Sequence, residues 1–138
     1  MTTPDPFEAA VTVRFRDLDR HDHVNNAVYA NYLEEVRRSF FFDELGFDPD
    51  AHSFVVGGIE LGFRRPVTLG DDLRVTVEPV ELGTSSLTLG HEFRVADDVV
   101  ATGETVLVSV DRESGGSTPL PEELRVRIGD YGVANDVD

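Results

Sequence analysis

Only one long stretch of this chain repeats at helical spacing, and it is bracketed by strand-like runs. Between residues 26 and 45, Tyr29, Tyr32, Leu33, Val36 and Phe40 fall at i, i+3 and i+4 intervals and form one apolar stripe. Glu34, Glu35, Arg37 and Arg38 mark the wetter sides, and Gly46 is placed to end the helix. At 1.5 Å per residue, a helix of about 19 residues spans roughly 28 Å, enough to cross a small sheet. Period-two runs surround it at 11–15, 54–63, 73–78, 87–95 and 99–110. Gly57, Gly58 and Gly62 suggest bulges or close approach in the second run. The later runs are joined by short turns, so consecutive strands pair antiparallel. One helix against such a sheet makes a two-layer α+β domain. Val106-Leu107-Val108-Ser109-Val110 is apolar on both faces, which predicts a strand covered on both sides, the second time by a partner subunit. Pro121 to Leu124 opens a short second helix, and the tail from Tyr131 is expected to fray.

The chain of 138 residues fits one domain with a proper core. Its 27 acids against 12 basic residues, all of them Arg, give a formal charge of −15. That balance excludes general nucleic-acid binding, which needs a basic footprint. It could signal disorder, but 40% hydrophobic residues in periodic runs argue for a folded protein with an acidic solvent face. Such a face repels itself and is relieved by salt. An acid-rich chain without Lys resembles the proteins of salt-loving archaea in composition. With no Cys, disulfides and thiolate metal sites are excluded. No secretory signal opens the chain and no run is long enough to span a membrane, so a cytoplasmic setting is expected.

Chemistry concentrates where the first strand gives way to the helix. Asp17 and Asp19, two acids spaced by one residue, precede a polar turn that delivers the chain to Asn25-Asn26 and the helix start. A carboxylate beside a helix N-terminus suits acyl-bond cleavage. The acid attacks or activates water, and unpaired N–H groups of the first turn stabilise the developing oxyanion.

These residues resemble a known signature. The stretch from Val13 through Asp17-Leu18-Asp19 to His23-Val24-Asn25-Asn26 and on to Glu35 is similar to that of hotdog-fold acyl-CoA thioesterases, in particular the 4-hydroxybenzoyl-CoA thioesterase group. Phe63 to Asp71, Val80 to Ser86, Ala101 to Asp111 and Pro119 to Leu124 match as well, so the resemblance covers about residues 8–128 of a single domain spanning 1–138. It implies one long helix wrapped by a five-stranded antiparallel sheet. It also implies hydrolysis of an acyl-CoA thioester to acid and CoA, without metal or other cofactor, in a homodimer or homotetramer. Asp19 takes the catalytic carboxylate position, as nucleophile or general base, and the backbone N–H of Asn26 polarises the thioester carbonyl. Two positions depart from the family pattern. Asp22 stands where Gly is common, and Thr84 where a basic residue often precedes the Ser pair. The extra charge of Asp22 is expected to raise the pKa of Asp19. The alternative reading is an acyl-thioester binding module that keeps the fold without the chemistry, and Asp22 is its best support. No Asp/His dyad motif supports a hydratase.

Each candidate also has an ordinary reading. Asp17 points away from Asp19 if alternation persists, and reads as a turn-stabilising acid. His23 joins the catalytic set, orienting Asp19 or meeting substrate, with a structural hydrogen bond as its bland alternative. His21, Asp22 and His23 lack the supporting cluster a metal needs. Tyr29 lines the acyl pocket near the helix start, while Tyr32 is core. Ser85 is carried over as a substrate contact. Arg64 and Arg65 suit the phosphates of CoA or, equally, salt bridges to nearby acids. Glu35 is a backup catalytic acid, since other hotdog thioesterases carry theirs on this helix. His91 reads as a satisfied core residue, and His52 as a loop residue with no role. Phe40-Phe41-Phe42 exceeds what one helix face can bury.

Overall fold

A computed structural model describes residues 5–133. Five strands form one antiparallel sheet in the order β1 (Phe7–Val11), β3 (Leu73–Leu82), β4 (Ser86–Val95), β5 (Asp98–Ser109), β2 (Phe54–Phe63). Helix α1 (Tyr29–Ser39) lies across one face, and the short α2 (Glu122–Gly129) closes an end with Leu124 and Ile128 fully buried. The sheet wraps a central helix, which is the hotdog arrangement the resemblance implies.

At 11 residues, α1 is too short to hold itself together in water. Burial of its stripe does that work. Tyr29, Tyr32, Leu33, Val36 and Phe40 are each 0–3% exposed, and each contributes about 2 kcal/mol by area removed from water. They meet the inward residues of the alternating strands: Leu73, Val75 and Val77 of β3, Leu87, Leu89 and Phe93 of β4.

Three local expectations shift. The first strand runs over Phe7–Val11 rather than residues 11–15, because its partner β3 begins at Leu73, opposite Val11. Beyond that pair the backbone has no ladder, and Phe15–Asp17 turns instead. The single long helix is divided into a tight 3-10 turn at Asn26–Val28, then α1, then a wide π turn at Phe40–Glu44. Widening carries two consecutive rings inward, so Phe40 and Phe41 are both buried while Phe42 stays 41% exposed. Gly46 ends it at φ +63, where glycine avoids the left-handed cost. The tail expected to fray is anchored at its start: Tyr131 meets Phe40 edge-on at 5.8 Å and donates its N–H to the Ile128 carbonyl. Met1 to Pro4 and residues 134–138 lie outside the described residues, including part of the N-terminal stretch read above for a leader.

Of the glycines in the second run, Gly57 sits at the bulge, where register shifts between Val56 and Gly58. A Cβ there would come 3.0 Å from Val108. Strand β5 lies between β4 and β2, as a two-sided apolar pattern suggests. Its helix-facing Leu107 is buried, but Val106 and Val108 on the far face are only half-buried within one protomer. No helix among the described residues is long and apolar enough to cross a membrane.

Candidate active site

The turn after Asp17 folds on itself. Leu18 bridges Val24, the Asp19 N–H donates to the His23 carbonyl at 2.7 Å, and the Asp22 N–H donates to the Asp19 carbonyl at 3.0 Å. Closing so tight a loop needs one left-handed residue. Asp22 supplies it at φ +62, a conformation that a short polar side chain tolerates and glycine adopts freely. The turn therefore forms with Asp in the glycine position. A bridge from His23 to Thr68 and a bond from the Val24 N–H to the Val67 carbonyl dock it on the chain after β2.

Inside this turn the two acids divide. Asp17 faces the helix: its Oδ2 accepts from the Tyr32 hydroxyl at 2.7 Å and from the Arg14 N–H at 2.9 Å. Burial opposes its charge, but those two bonds and the nearby Arg16 and Arg14 outweigh it and hold the carboxyl below its ordinary value. It is the turn-stabilising acid. Asp19 faces the other way. Its Oδ1 accepts the His21 N–H at 2.8 Å and the His23 N–H at 3.3 Å, which leaves Oδ2 without a donor among the described residues. The His21 bond, against partial burial and with help from the His23 bond and the two imidazoles, lowers the Asp19 pKa. The expected rise from Asp22 is thus overturned. Two backbone N–H groups stabilise the carboxylate directly, while Asp22 is exposed to solvent that screens its charge.

Asp19 opens into a cleft of ≈ 370 Å³ that also gathers His23, Asn26, Tyr29, Phe63, Arg64 and Arg65. Asn25 caps the helical entry, its Oδ1 accepting from the Ala27 N–H at 2.9 Å. Among the described residues nothing accepts from the Asn26 N–H, which heads the turn leading into α1. Tyr29 is 2% exposed and wedged edge-on between Phe63 and Phe93, at 4.9 and 5.1 Å. Burial raises its pKa, so it enters the cleft as a neutral hydroxyl. Arg64 and Arg65 split between the two roles open to them. Arg65 pairs with Asp98 at 3.0 Å, while Arg64 has no side-chain partner among the described residues.

Ser85 is not brought to this cleft. It sits in the β3–β4 turn, where its carbonyl accepts from the Ser109 N–H. Phe93, which touches Tyr29, is eight residues away along β4, or ~26 Å at 3.3 Å per residue. Glu35 is exposed on α1 and lines neither this cleft nor the second cavity described below. Among the described residues no three His, Asp or Glu side chains come together in a metal-holding group.

His91 is the satisfied core residue its strand position suggests. Its Nδ1 donates to the Thr76 carbonyl and its Nε2 accepts from the Thr105 hydroxyl, each at 3.0 Å. Two other expectations change. Arg37, assigned to the wet side of the helix, turns inward, and its Nη1 is buried. His52 is half-buried, with Nε2 2.5 Å from the Ser109 hydroxyl. Both line a second cavity of ≈ 330 Å³ at the far end of α1, with Arg38, Asp50 and Arg112. That cavity went unread because its walls come from segments scattered over residues 34–112. The only sequence signal was an arginine four residues after Leu33, beside the apolar stripe.

Comparison with known proteins bears on what this cleft does. A model of the Thioesterase-like superfamily matches residues 13–128. A long-chain acyl-CoA thioesterase, FadM of Escherichia coli, is 32% identical over 130 residues, 88% of this chain and 96% of that protein. A 1,4-dihydroxy-2-naphthoyl-CoA hydrolase of Nostoc punctiforme is 28% identical over 118 residues, 82% of this chain and 80% of its own. Among solved structures, a Thermus thermophilus thioesterase complexed with coenzyme A and Zn superposes with TM-score 0.79 at 40% identity, covering 92% of this chain and 95% of that one.

Proposed function

The chain belongs to the Thioesterase-like superfamily and is a thioester hydrolase, and on that premise we propose that it cleaves acyl-CoA thioesters with Asp19 as the reacting carboxylate. The observation that carries this reading is the division of labour on Asp19. Backbone bonds to Oδ1 fix the carboxylate, Oδ2 has no donor among the described residues, and Asp19 lines the cleft. A depressed pKa keeps it ionised at neutral pH, as both available routes require. In one route Oδ2 attacks the thioester carbon, expels the thiolate and leaves an anhydride that water opens. In the other, Oδ2 takes a proton from the water that attacks. Either way the carbonyl oxygen gains charge, and in this reading the Asn26 N–H, in the turn that leads into α1, receives it. The Tyr29 hydroxyl and the His23 side chain border the acyl group, and Arg64 is available to a CoA phosphate.

Asp19→Asn should reduce thiol release by about a thousandfold or more while leaving the melting temperature near that of the wild type. Near-normal turnover would exclude Asp19. Single turnover in heavy-oxygen water separates the routes: label enters the Asp19 carboxyl only if an anhydride forms. The rival reading, a binding module without chemistry, predicts saturable binding of acyl-CoA with no thiol released. The closed turn at Asp22 removes its main support.

Two further features belong to the same proposal. Strand β2 is a ten-residue edge with Val55, Val56, Ile59 and Phe63 39–49% exposed, which suits pairing with a second copy in a homodimer or larger homo-oligomer. Its Glu60 stands directly opposite Glu104, a like-charge pair that adds to the repulsion of a −15 chain. A salt-adapted protein should therefore gain thermal stability and sediment as a dimer in molar potassium chloride. A flat melting curve across that range would contradict the salt-adapted reading.

A further inference from the structure

Two tyrosines one turn apart on α1 use their hydroxyls differently. The Tyr32 hydroxyl donates to Asp17 Oδ2 at 2.7 Å. The Tyr29 hydroxyl has no hydrogen-bond partner among the described residues, although the residue is only 2% exposed. It is not sealed in either, because the side-chain polar atom that the described residues leave both buried and unpaired is Arg37 Nη1. What little surface Tyr29 keeps therefore includes its oxygen, and the residue lines the Asp19 cleft. Asp19 Oδ2 has no donor among the described residues. The satisfied pair, Tyr32 and Asp17, holds the turn, while the unsatisfied pair, Tyr29 and Asp19, shares the cleft.

Local geometry aims this hydroxyl at the helix start. Asn26 and Tyr29 are joined across the 3-10 turn, the Tyr29 N–H donating to the Asn26 carbonyl. Side chains three residues apart in such a turn lie one above the other. A long side chain on a helix leans toward the N-terminus, over the turn that precedes it. For Tyr29 that is the turn headed by the Asn26 N–H. Phe63 and Phe93 hold the ring edge-on from β2 and β4, at interplanar angles of 82° and 63°. Burial raises the Tyr29 pKa, so at neutral pH the hydroxyl keeps its proton and can donate it in a hydrogen bond.

We propose that the Tyr29 hydroxyl is a second donor to the thioester carbonyl oxygen, completing with the Asn26 N–H a two-donor site for the oxyanion. This rests on the hydrolase reading of the Asp19 cleft. As the carbonyl carbon becomes tetrahedral, its oxygen gains charge and a further lone pair, and one amide N–H answers only one of them. No proton is transferred to or from Tyr29. Its hydroxyl donates while the charge is present, and the bond weakens when the C=O double bond returns and the thiolate leaves. The cost of holding a hydroxyl unpaired is met when the protein folds, so the donor is already oriented when charge develops.

The test is Tyr29→Phe, which deletes one oxygen and keeps the ring between Phe63 and Phe93. For acetyl-, octanoyl- and benzoyl-CoA alike, kcat should fall by about a hundredfold with KM little changed. The melting temperature should equal or exceed that of the wild type, because no hydrogen bond within the protein is lost. A loss confined to one acyl group, or seen only in KM, would overturn the proposal, since the hydroxyl would then read the acyl group and not the carbonyl. Unchanged turnover on every substrate would overturn it while leaving the hydrolase reading intact. Infrared spectroscopy separates a carbonyl donor from a group that holds the attacking water. In Asp19→Asn, which should bind substrate without turning it over, the carbonyl stretch of a carbon-13-labelled thioester should lie below its value in water. Adding Tyr29→Phe should shift it back up, and an unmoved band would overturn the proposal. If the wild type releases no thiol from any thioester, the hydrolase reading falls instead. The same band, compared between the wild type and Tyr29→Phe, then decides alone whether the hydroxyl meets the carbonyl.

Discussion

The two ends of α1 handle polar groups in opposite ways. At the N-terminal end, Asp17, Asp19, Asn25 and the amides of the turn satisfy one another within a dozen residues, close to solvent. Towards the C-terminal end, Arg37 and His91 are drawn under the helix, and their surroundings come from strands far apart in the chain. The first region is a reactive group held by its own loop, and its geometry survives a change of neighbours. The second depends on the whole fold, so its charges are sensitive to anything that enters or protonates there.

The largest stability effect should come from His91. Burial, against the bond to the Thr76 carbonyl and with help from the Arg37 charge, pushes its pKa down from 6.5 to about 4. The Thr76 carbonyl can only accept, so Nδ1 carries the proton and the folded imidazole is neutral. As pH falls from 6.5, the unfolded chain takes up a proton that the folded one refuses until about pH 4. Stability from this group is therefore lost across that window, on the order of 3 kcal/mol at 1.36 kcal/mol per pKa unit. His91→Gln keeps a donor and an acceptor but cannot titrate. Urea denaturation at the two ends of the window should show a correspondingly shallower loss. Identical pH slopes in variant and wild type would mean that the buried end is no more acid-sensitive than the exposed one.

Asp17 and Asp19 give the comparison a second test at the exposed end, two residues apart. Asp17→Ala removes the acceptor of the buried Tyr32 hydroxyl and of the Arg14 N–H. It should cost about 2 kcal/mol and lower the melting temperature by roughly 4–8 °C. Thiol release per folded molecule should stay within a few-fold of the wild type. A collapse of turnover in Asp17→Ala with the melting temperature unchanged would give the chemistry to the wrong acid in our reading.

How far the sequence could be read follows the same division. The Asp19 turn, the capping Asn25, the helical entry at Asn26 and the alternation of β3 and β4 are local patterns, and each is present in the fold. The position of β1 was not legible, because a strand ends where its partner ends and Leu73 lies far along the chain. The π turn escaped because two adjacent rings, Phe40 and Phe41, each found a pocket that a regular helix would have offered to one of them. Arg37 escaped because helical spacing alone reads arginine as wet, whereas its stem packs inward and takes Nη1 with it.

The smallest effect is expected at Asp22, and it tests whether the exposed end is as self-contained as its hydrogen bonds suggest. The left-handed backbone there costs Asp roughly 1–2 kcal/mol, part of which a polar side chain recovers, and it costs glycine none of that steric term. Glycine also has more freedom to lose on folding. The two terms oppose, so Asp22→Gly should change stability by less than about 1 kcal/mol in either direction. Because Asp22 is exposed and the Asp19 carboxylate is set by the His21 and His23 N–H groups, the acid limb of the pH–rate profile should not move. A displaced limb would show that Asp22 tunes Asp19 across the turn, and the loop would then carry electrostatic information that its bonds do not reveal.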